Sequence, residues 1–207
     1  MPFPKRETSG SKVPYISLKD EGEHRVRIVS SPVESWEHFL EDKKRSVQCQ
    51  GRNTCEHCHA GVESRHRYFF SAIDRDEQTA EFKKSGQMKT GNVKLLCVGN
   101  SVYDALADLS VKPDWFFEEV PHYDIIITRK GAKMDTKYTV TPCAPKPLSE
   151  ADAEAVKGHK SIVEMVNENY GLSDGDQGPT PSDSENPQHL ADRMPNQDDT
   201  DPSSIPF

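Results

Sequence analysis

The sequence predicts a mainly β protein in which five short strands close into a small barrel, with a metal-binding insert, short helices and an acidic C-terminal tail. Three observations carry this prediction. Short segments of alternating polar and apolar residues recur along the chain and are typical of half-buried strands. Three cysteines lie within ten positions, at 49, 55 and 58. Residues 172–207 contain eight acidic residues and a single arginine.

Composition and charge separate a body from a tail. Of the 207 residues, 33% are hydrophobic and 29% are charged, which is lean for a chain that is folded throughout. Residues 1–148 hold 23 Lys and Arg against 21 Asp and Glu, whereas the net charge of the whole chain is -8. A slightly basic body with an acidic tail is typical of proteins that bind polyanions.

The sequence also bears on location. The N-terminus has no apolar core of the length that a signal peptide needs, and no run of about 18 apolar residues predicts a membrane span. We therefore expect a cytoplasmic protein with no membrane contact. Five cysteines, an odd number, then favour metal ligation over a disulfide framework.

The elements of the body follow in chain order. Residues 1–16 are polar and predict a flexible arm, and residues 17–148 form the predicted barrel domain. In "HRVRIV", Val26 and Ile28 alternate with Arg25 and Arg27, which predicts a strand with one buried and one cationic face; an ordinary solvated face is the alternative. Further strands are predicted at 65–75, 94–99, 123–131 and 135–142.

A short helix and a hairpin complete the predicted barrel. "NSVYDALADL" has apolar residues at helical spacing, with Asn100 or Ser101 as the expected N-cap. The last two strands flank "GAKM", which indicates a hairpin. Many short strands with one helix between them favour a closed barrel over a βαβ sheet.

The C-terminal third divides into a helical segment and a tail. In residues 149–171, Ser149 and Asp152 form a capping-box start, Gly158 weakens the helix and Gly171 ends it. Residues 172–207 contain six prolines and few apolar side chains, so they predict a disordered acidic tail.

A metal site is predicted at about residues 36–66. His38, Cys49, Cys55 and Cys58 have the spacing H-x10-C-x5-C-x2-C, and thiolates with an imidazole suit one tetrahedral zinc ion. Free buried thiols or a redox pair are the alternatives. We favour His38 as the fourth ligand because it comes from a separate chain segment and can close a larger loop; the nearby His57, His59 and His66 are the alternatives. Four protein ligands leave no open position, so the predicted site is structural rather than catalytic.

The remaining chemistry favours binding over catalysis. Cys97 falls in a predicted strand and Cys143 directly follows one, so both are expected to be small core hydrophobes. No pattern typical of a nucleophilic, acid–base or phosphate-binding site occurs, which predicts that the protein is not an enzyme.

Cations and aromatic rings interleave along the predicted strands. Lys and Arg neutralise phosphates, and exposed rings stack on unpaired bases, so the pattern suits single-stranded nucleic acid. Alternation does not say which rings face the core. The predicted contact residues are Arg25, Arg27, Arg65, Arg67, Tyr68, Phe70, Trp115, Tyr123, Arg129, Lys130, Lys133, Lys137 and Tyr138.

Across about 130 residues the order of motifs resembles that of phage-encoded single-stranded DNA-binding proteins. The blocks are "CQGRNTCEHCHAGVESRHRYFFSAIDR", "SVYDALADL" and "YDIIITRKGAKMDTKYTVTP". The resemblance implies a five-stranded OB-type barrel with an inserted zinc subdomain. It also implies sequence-tolerant binding of single-stranded DNA during replication, recombination and repair, in the cytoplasm of a host cell. The residues alone do not distinguish DNA from RNA.

The C-terminus carries a second resemblance. "DDTDPSSIPF" is similar to the acidic Ile-Pro-Phe terminus of bacterial single-stranded DNA-binding proteins, although Ser203 and Ser204 interrupt the acidic run. The resemblance implies that the tail recruits a polymerase, helicase or primase and competes with DNA for the cationic surface. The implied partner-binding residues are Asp198, Asp199, Asp201, Ile205, Pro206 and Phe207.

Three other functions are weighed against this one. A zinc-finger regulator that reads a DNA sequence needs a recognition helix after the cysteine pair, but "ESRHRYFFSAI" predicts a strand. A zinc-dependent nuclease needs an open metal position. An RNA-binding or assembly protein of the same fold is the third alternative.

Overall fold

A computed structural model describes residues 13–87, 90–132 and 135–172. The N-terminal residues 1–12, Lys133 and the tail from residue 173 onward lie outside the described residues. The strands are β1 (Tyr15–Ile16), β2 (Gly22–Ile28), β3 (Val33–Leu40), β4 (Arg45–Gln48), β5 (Ser64–Asp74), β6 (Val93–Val98), β7 (Ile125–Lys130) and β8 (Lys137–Pro142). The helices are α1 (Glu56–His59), α2 (Arg75–Ser85), α3 (Asn100–Ser110), α4 (Glu150–Lys157) and α5 (Ile162–Tyr170).

All eight described strands belong to one sheet. Its order is β1-β6-β5-β2-β7-β8, and β3 and β4 branch from β5. The long strand β5 makes the branch possible: its first half pairs with β3, as in Val33 opposite Phe69, and its second half pairs with β2, as in Ile28 opposite Ala72. Pro32, which has no N–H to donate, lies in the interruption between β2 and β3.

The mainly β fold with short helices is confirmed, and the five predicted strands correspond to β2, β5, β6, β7 and β8. Among the described residues the strands form an open sheet with β1 and β8 at its ends. The closed barrel therefore stays a prediction. Three strands were not predicted, because β1 has two residues, β4 has four, and β3 alternates polar residues with only a few apolar ones.

Two apolar clusters cover opposite faces of the sheet. The inner cluster lies under α3, where Val102 and Leu106 pack with strand residues such as Ile28, Phe70 and Ile127. The outer cluster joins Phe69 and Leu95 of the strands to Met165 and Val166 of α5. Because neighbours along a strand point to opposite faces, Phe69 and Phe70 enter different clusters.

The helix ends refine the predicted caps. α3 has Gly99 as its N-cap with no side-chain hydrogen bond, so the prediction of Asn100 or Ser101 is wrong by one or two residues. Ser149 caps α4 as predicted, accepting the N–H of Asp152 at 3.1 Å. Gly158 ends α4 instead of weakening one long helix, and a second helix, α5, begins at a capping box on Ser161 and ends at Gly171 (φ 75°). No helix among the described ranges is both long enough and apolar enough to span a bilayer.

Candidate functional site: a Cys3His group and a row of aromatic rings

Two hairpin strands and a short helix bring four metal-ligand side chains together. His38 lies in β3, and Cys49 follows β4. Cys55 is the N-cap of α1, and Cys58 lies inside this helix. The N–H of Cys49 donates to the Trp36 carbonyl at 2.7 Å, which keeps the end of β4 beside β3. The N–H of Cys55 donates to the Gly51 carbonyl at 2.8 Å, and Gly51 adopts the left-handed φ of 95° that this turn requires.

The donor atoms have the spacing of one coordination sphere. His38 Nε2 lies 3.4 Å from the Sγ atoms of both Cys55 and Cys58, and Cys49 Sγ lies 3.5 Å from Cys58 Sγ. All four donors are within 4.8 Å of one another. Donors of a tetrahedral ion with bonds of about 2.0–2.3 Å are separated by roughly 3.3–3.8 Å, so the group fits one four-coordinate metal.

The histidine of the group is held in place by a second contact. His38 is fully buried, and its Nδ1 lies 3.2 Å from the Glu63 carbonyl oxygen. An Nδ1–H that donates to this carbonyl leaves the Nε2 lone pair directed at the cysteines, which is the usual arrangement for an imidazole ligand.

The cysteines differ in how easily they ionise. Burial opposes ionisation of Cys55, but hydrogen bonds from the backbone N–H groups of Gln50, Cys58 and His57 lower the pKa of its thiol to about 6. Burial raises the pKa of the Cys49 thiol to about 12. A divalent ion at the centre of the group favours the thiolate form of each cysteine.

The structure supports His38, the histidine that the sequence analysis favoured as the fourth ligand. Only His38 belongs to the described group that holds the three cysteines. The His57 Nε2 lies 3.6 Å from Glu56 Oε1, and His66 is stacked on Trp36. The other two cysteines lie elsewhere: Cys97 packs against the outer cluster, where burial raises the pKa of its thiol to about 11, and Cys143 is half-buried after β8.

The predicted cations have unequal access to solvent. Arg65, Lys130 and Lys137 are exposed, Arg25 is exposed with its guanidinium paired to Asp124 at 2.9 Å, and Arg129 is half-buried. Arg67 is also half-buried and donates to Glu37 at 2.9 Å. Lys133 lies outside the described residues.

Arg27 departs from the predicted cationic face of β2. It is only 4% exposed, pairs with Asp124 at 3.4 Å and donates to the Lys146 carbonyl at 2.9 Å. Segments remote in sequence, including the start of β7 and the chain after β8, cover this residue. The expectation that Arg27 contacts nucleic acid is therefore wrong.

Most of the predicted stacking rings belong to the inner cluster. Tyr123 is fully buried and donates from its hydroxyl to the Trp115 carbonyl at 2.7 Å, and Phe70 is 5% exposed. Trp115 and Tyr138 are partly buried against the same cluster. Tyr123 is fully buried and Phe70 is accessible only in the wall of a cavity beside α3, so neither ring lies on an exposed face where bases were expected to stack.

A row of four rings was missed by the sequence analysis. Trp36 stacks on His66 with ring centroids 4.5 Å apart, His66 meets Tyr68 at 4.5 Å, and Tyr68 stacks on Tyr103 at 3.6 Å. Tyr68 is 7% exposed, whereas Trp36 at the end of the row is 51% exposed. The available signal was alternation, which places His66 and Tyr68 on one face of the predicted strand at 65–75 but does not show that Trp36 and Tyr103 lie beside them.

A second missed feature is a group of exposed cations on the same hairpin. Lys43 and Lys44 are exposed in the turn between β3 and β4, where Lys44 pairs with Glu41 at 2.7 Å. Arg45 is exposed at the start of β4, and Arg52 is exposed in the loop that follows Cys49. The six tail residues with a predicted docking role lie outside the described residues. Comparisons of the chain with protein-family models, with curated proteins and with solved structures find no match.

Proposed function

We propose that this protein binds single-stranded DNA with little sequence preference, protects it during replication, recombination and repair, and holds one structural zinc ion in its Cys3His group. The observation that carries the proposal is the half-exposed Trp36 ring, backed by His66 and joined through one hairpin to exposed cations. An exposed ring offers a face to an unpaired base, and cations beside it neutralise the phosphates.

The strand order supports an OB-type fold. β2, β5 and β6 are neighbours in that order, and β7 returns to the free edge of β2, which is the Greek-key order of a partly open OB barrel. In such barrels nucleic acid binds along the second and third strands and the loops after the first and fourth strands. The Cys3His group lies in the connection between β2 and β5, and the predicted Lys133 contact lies in the connection between β7 and β8.

DNA has no access to the outer face of β5 and β6, which correspond to the second and third strands of such a barrel. α5 covers the outer face of β5 and β6, where Phe69, Leu95 and Met165 are almost fully buried. We therefore place the DNA path over the metal-binding hairpin, formed by β3, β4 and α1, and over the β7–β8 hairpin. Lys130 and Lys137 are exposed on the β7–β8 hairpin, and Arg65 is exposed in β5, opposite Glu37 of β3.

Zinc is the proposed metal because three thiolates and one imidazole form a closed, borderline-soft ligand set. Each residue has one role: His38 and the cysteines bind the ion, and the Glu63 carbonyl orients His38. A regulator that reads a duplex sequence has less support, because α1 spans only Glu56–His59 and the next element is strand β5.

Tryptophan emission provides the test, since the chain has only two tryptophans. We expect poly-dT to quench Trp36 in the Trp115→Phe protein, and Trp36→Ala to weaken binding by roughly 1–3 kcal/mol, or about 5- to 150-fold. Affinity should fall steeply with added salt. Equal affinity for poly-dT and for a duplex, or full affinity in Trp36→Ala, would reject this placement of the strand.

Tail truncation tests the proposed recruitment of replication proteins. Residues 172–207 carry eight acidic residues and one arginine, a net charge of -7, so their removal leaves a net charge of about -1. We expect the truncated chain to bind poly-dT more tightly at low salt. Deleting Phe207 alone should keep DNA affinity and lower capture of a purified polymerase, helicase or primase. Unchanged capture of all three would reject the docking role.

A further inference from the structure

A cavity of about 270 Å³ lies beside α3, away from the Cys3His group. Its walls are mainly apolar and include Ile28, Pro32, Phe70, Leu106, Phe117 and Pro121. The exposed side chains of Glu118 and Glu119 also line it. A cavity of this size accommodates one large apolar side chain, and its carboxylates favour a cation beside that side chain.

The segment that supplies most of the cavity lining is acidic. Residues 100–122 contain Lys112 as their one Lys or Arg, against five exposed carboxylates: Asp104, Asp108, Asp114, Glu118 and Glu119. Such a surface repels the phosphates of a DNA strand, and it repels the acidic C-terminal tail in the same way. The occupant that fits this cavity is therefore a cationic segment with an apolar anchor.

The N-terminal residues 1–12, which lie outside the described structure, have this chemistry. Phe3 stands between Pro2 and Pro4, and Lys5, Arg6 and Lys12 outnumber Glu7. The described chain begins at Val13 and enters β1, which pairs with β6, and β6 leads through Gly99 into α3. Val13 packs against the outer cluster next to β1, which lies at one end of the sheet, so docking requires residues 1–12 to pass around that edge to the inner face. Ten extended residues supply up to about 35 Å for this path.

We propose that the N-terminal segment docks on its own chain, with Phe3 in the cavity and Lys5 and Arg6 beside Glu118 and Glu119. A tethered segment has an effective concentration in the millimolar range, which favours its own cavity over that of a second copy. The prolines on both sides of Phe3 reduce the backbone freedom that docking removes. This inference does not depend on the proposed DNA binding.

Photo-crosslinking of the full chain tests the docking. We would place p-benzoylphenylalanine at position 3, irradiate the purified protein and map the products by mass spectrometry. The expected product runs at the size of a monomer and joins position 3 to a peptide containing Tyr103 or Phe117. A product found only at the size of a dimer would mean that a second copy of the chain occupies the cavity. The absence of a product, or products that join position 3 to other peptides, would mean that the segment does not dock. Each of these results overturns the proposal.

Charge reversal supplies the matched variants. Glu118→Lys with Glu119→Lys should lower the crosslink yield by about tenfold, because two exposed ion pairs become repulsive. Glu41→Lys with Asp42→Lys reverses a similar exposed acidic pair elsewhere and should leave the yield unchanged. Adding Lys5→Glu with Arg6→Glu to the first variant should restore the yield. An unchanged yield after reversal at 118 and 119, or no recovery in the combined variant, would contradict the proposed contacts.

Discussion

The metal-binding hairpin and the main sheet are held together by different means. In the region of β3, β4 and α1, buried metal-ligand side chains such as His38 and Cys55 occupy the centre of the segment. In most folded segments that position is filled by apolar side chains. The main sheet instead buries apolar side chains on both faces, under α3 and under α5. A segment too small to build an apolar core gains its stability from a cross-link, so the two regions should fail under different changes.

Removing the metal should have the largest effect and should be confined to the hairpin. Structural zinc sites contribute about 10–16 kcal/mol of apparent binding energy in small peptides, so chelation or Cys55→Ser should release the metal and loosen β3, β4 and α1. The main sheet should persist because its two clusters contain none of the ligands. Metal analysis and hydrogen exchange of the two regions measure this difference.

Matched variants sharpen the metal prediction. Cys143→Ser removes a cysteine outside the group and should keep full metal content, and His57→Ala should do the same, unlike His38→Ala. Full metal content in Cys55→Ser, or equal loss of protection in β6 and β7, would contradict the separation of the two regions.

Asp152→Ala should weaken the main sheet by about 3–5 kcal/mol while leaving the metal in place. The Asp152 carboxylate is buried in α4 and accepts from Arg75 at 2.8 Å, Gln78 at 2.9 Å and the Gly91 N–H at 3.1 Å. Its removal leaves the buried Gly91 N–H without this acceptor and takes one ion-pair partner from Arg75. Chemical denaturation measures the free energy of unfolding, and metal analysis measures the metal content. Asp42→Ala, at an exposed position, is the control. Loss of metal in Asp152→Ala would show that the two regions are coupled.

Acid should destabilise the main sheet through the same carboxylate. Burial opposes ionisation of Asp152, but the Arg75 guanidinium and the Gly91 N–H hold its pKa below the usual value. A pKa that is lower in the folded state adds stability above the unfolded pKa of about 3.9, and this stability is lost as the pH falls through the folded pKa. Thermal melting between about pH 5 and pH 2 should therefore fall more steeply in the wild type than in Asp152→Asn. Equal slopes would contradict the lowered pKa.

Ser161→Ala should give the smallest effect, about 1 kcal/mol, at the outer cluster. Ser161 is the N-cap of α5, and its hydroxyl oxygen accepts a hydrogen bond from the Glu164 N–H at 3.3 Å. Helix α5 packs Met165 and Val166 against the sheet. Ser161→Thr keeps the capping hydroxyl, which also donates to the Glu164 carboxylate at 2.8 Å, and should retain most of the stability. A loss in Ser161→Ala as large as that in Asp152→Ala would mean that α5 contributes more than its cap and its packing.

The sequence predicted the features that depend on neighbours in the chain. Period-2 alternation indicated the strands that became β2, β5, β6, β7 and β8, and the spacing of Cys49, Cys55 and Cys58 indicated the metal ligands. Ser149 was recognised as a cap because its acceptor and the N–H of Asp152 lie three residues apart. These features follow from local geometry, which repeats with the period of the backbone.

Only the tertiary structure decided which side chains are accessible and which segments pair. Arg25 and Arg27 have the same place in a strand pattern, yet Arg27 is covered because Asp124 and Lys146 reach it from about 100 residues away along the chain. In the same way, Trp36 rather than Tyr123 keeps an exposed ring. The sequence favoured His38 as the fourth ligand, and the pairing of β3 with β4 is what brings it to the cysteines in place of a nearer histidine. Burial and strand pairing depend on contacts between segments that are distant in sequence, and these contacts cannot be predicted from the local periodicity of apolar residues.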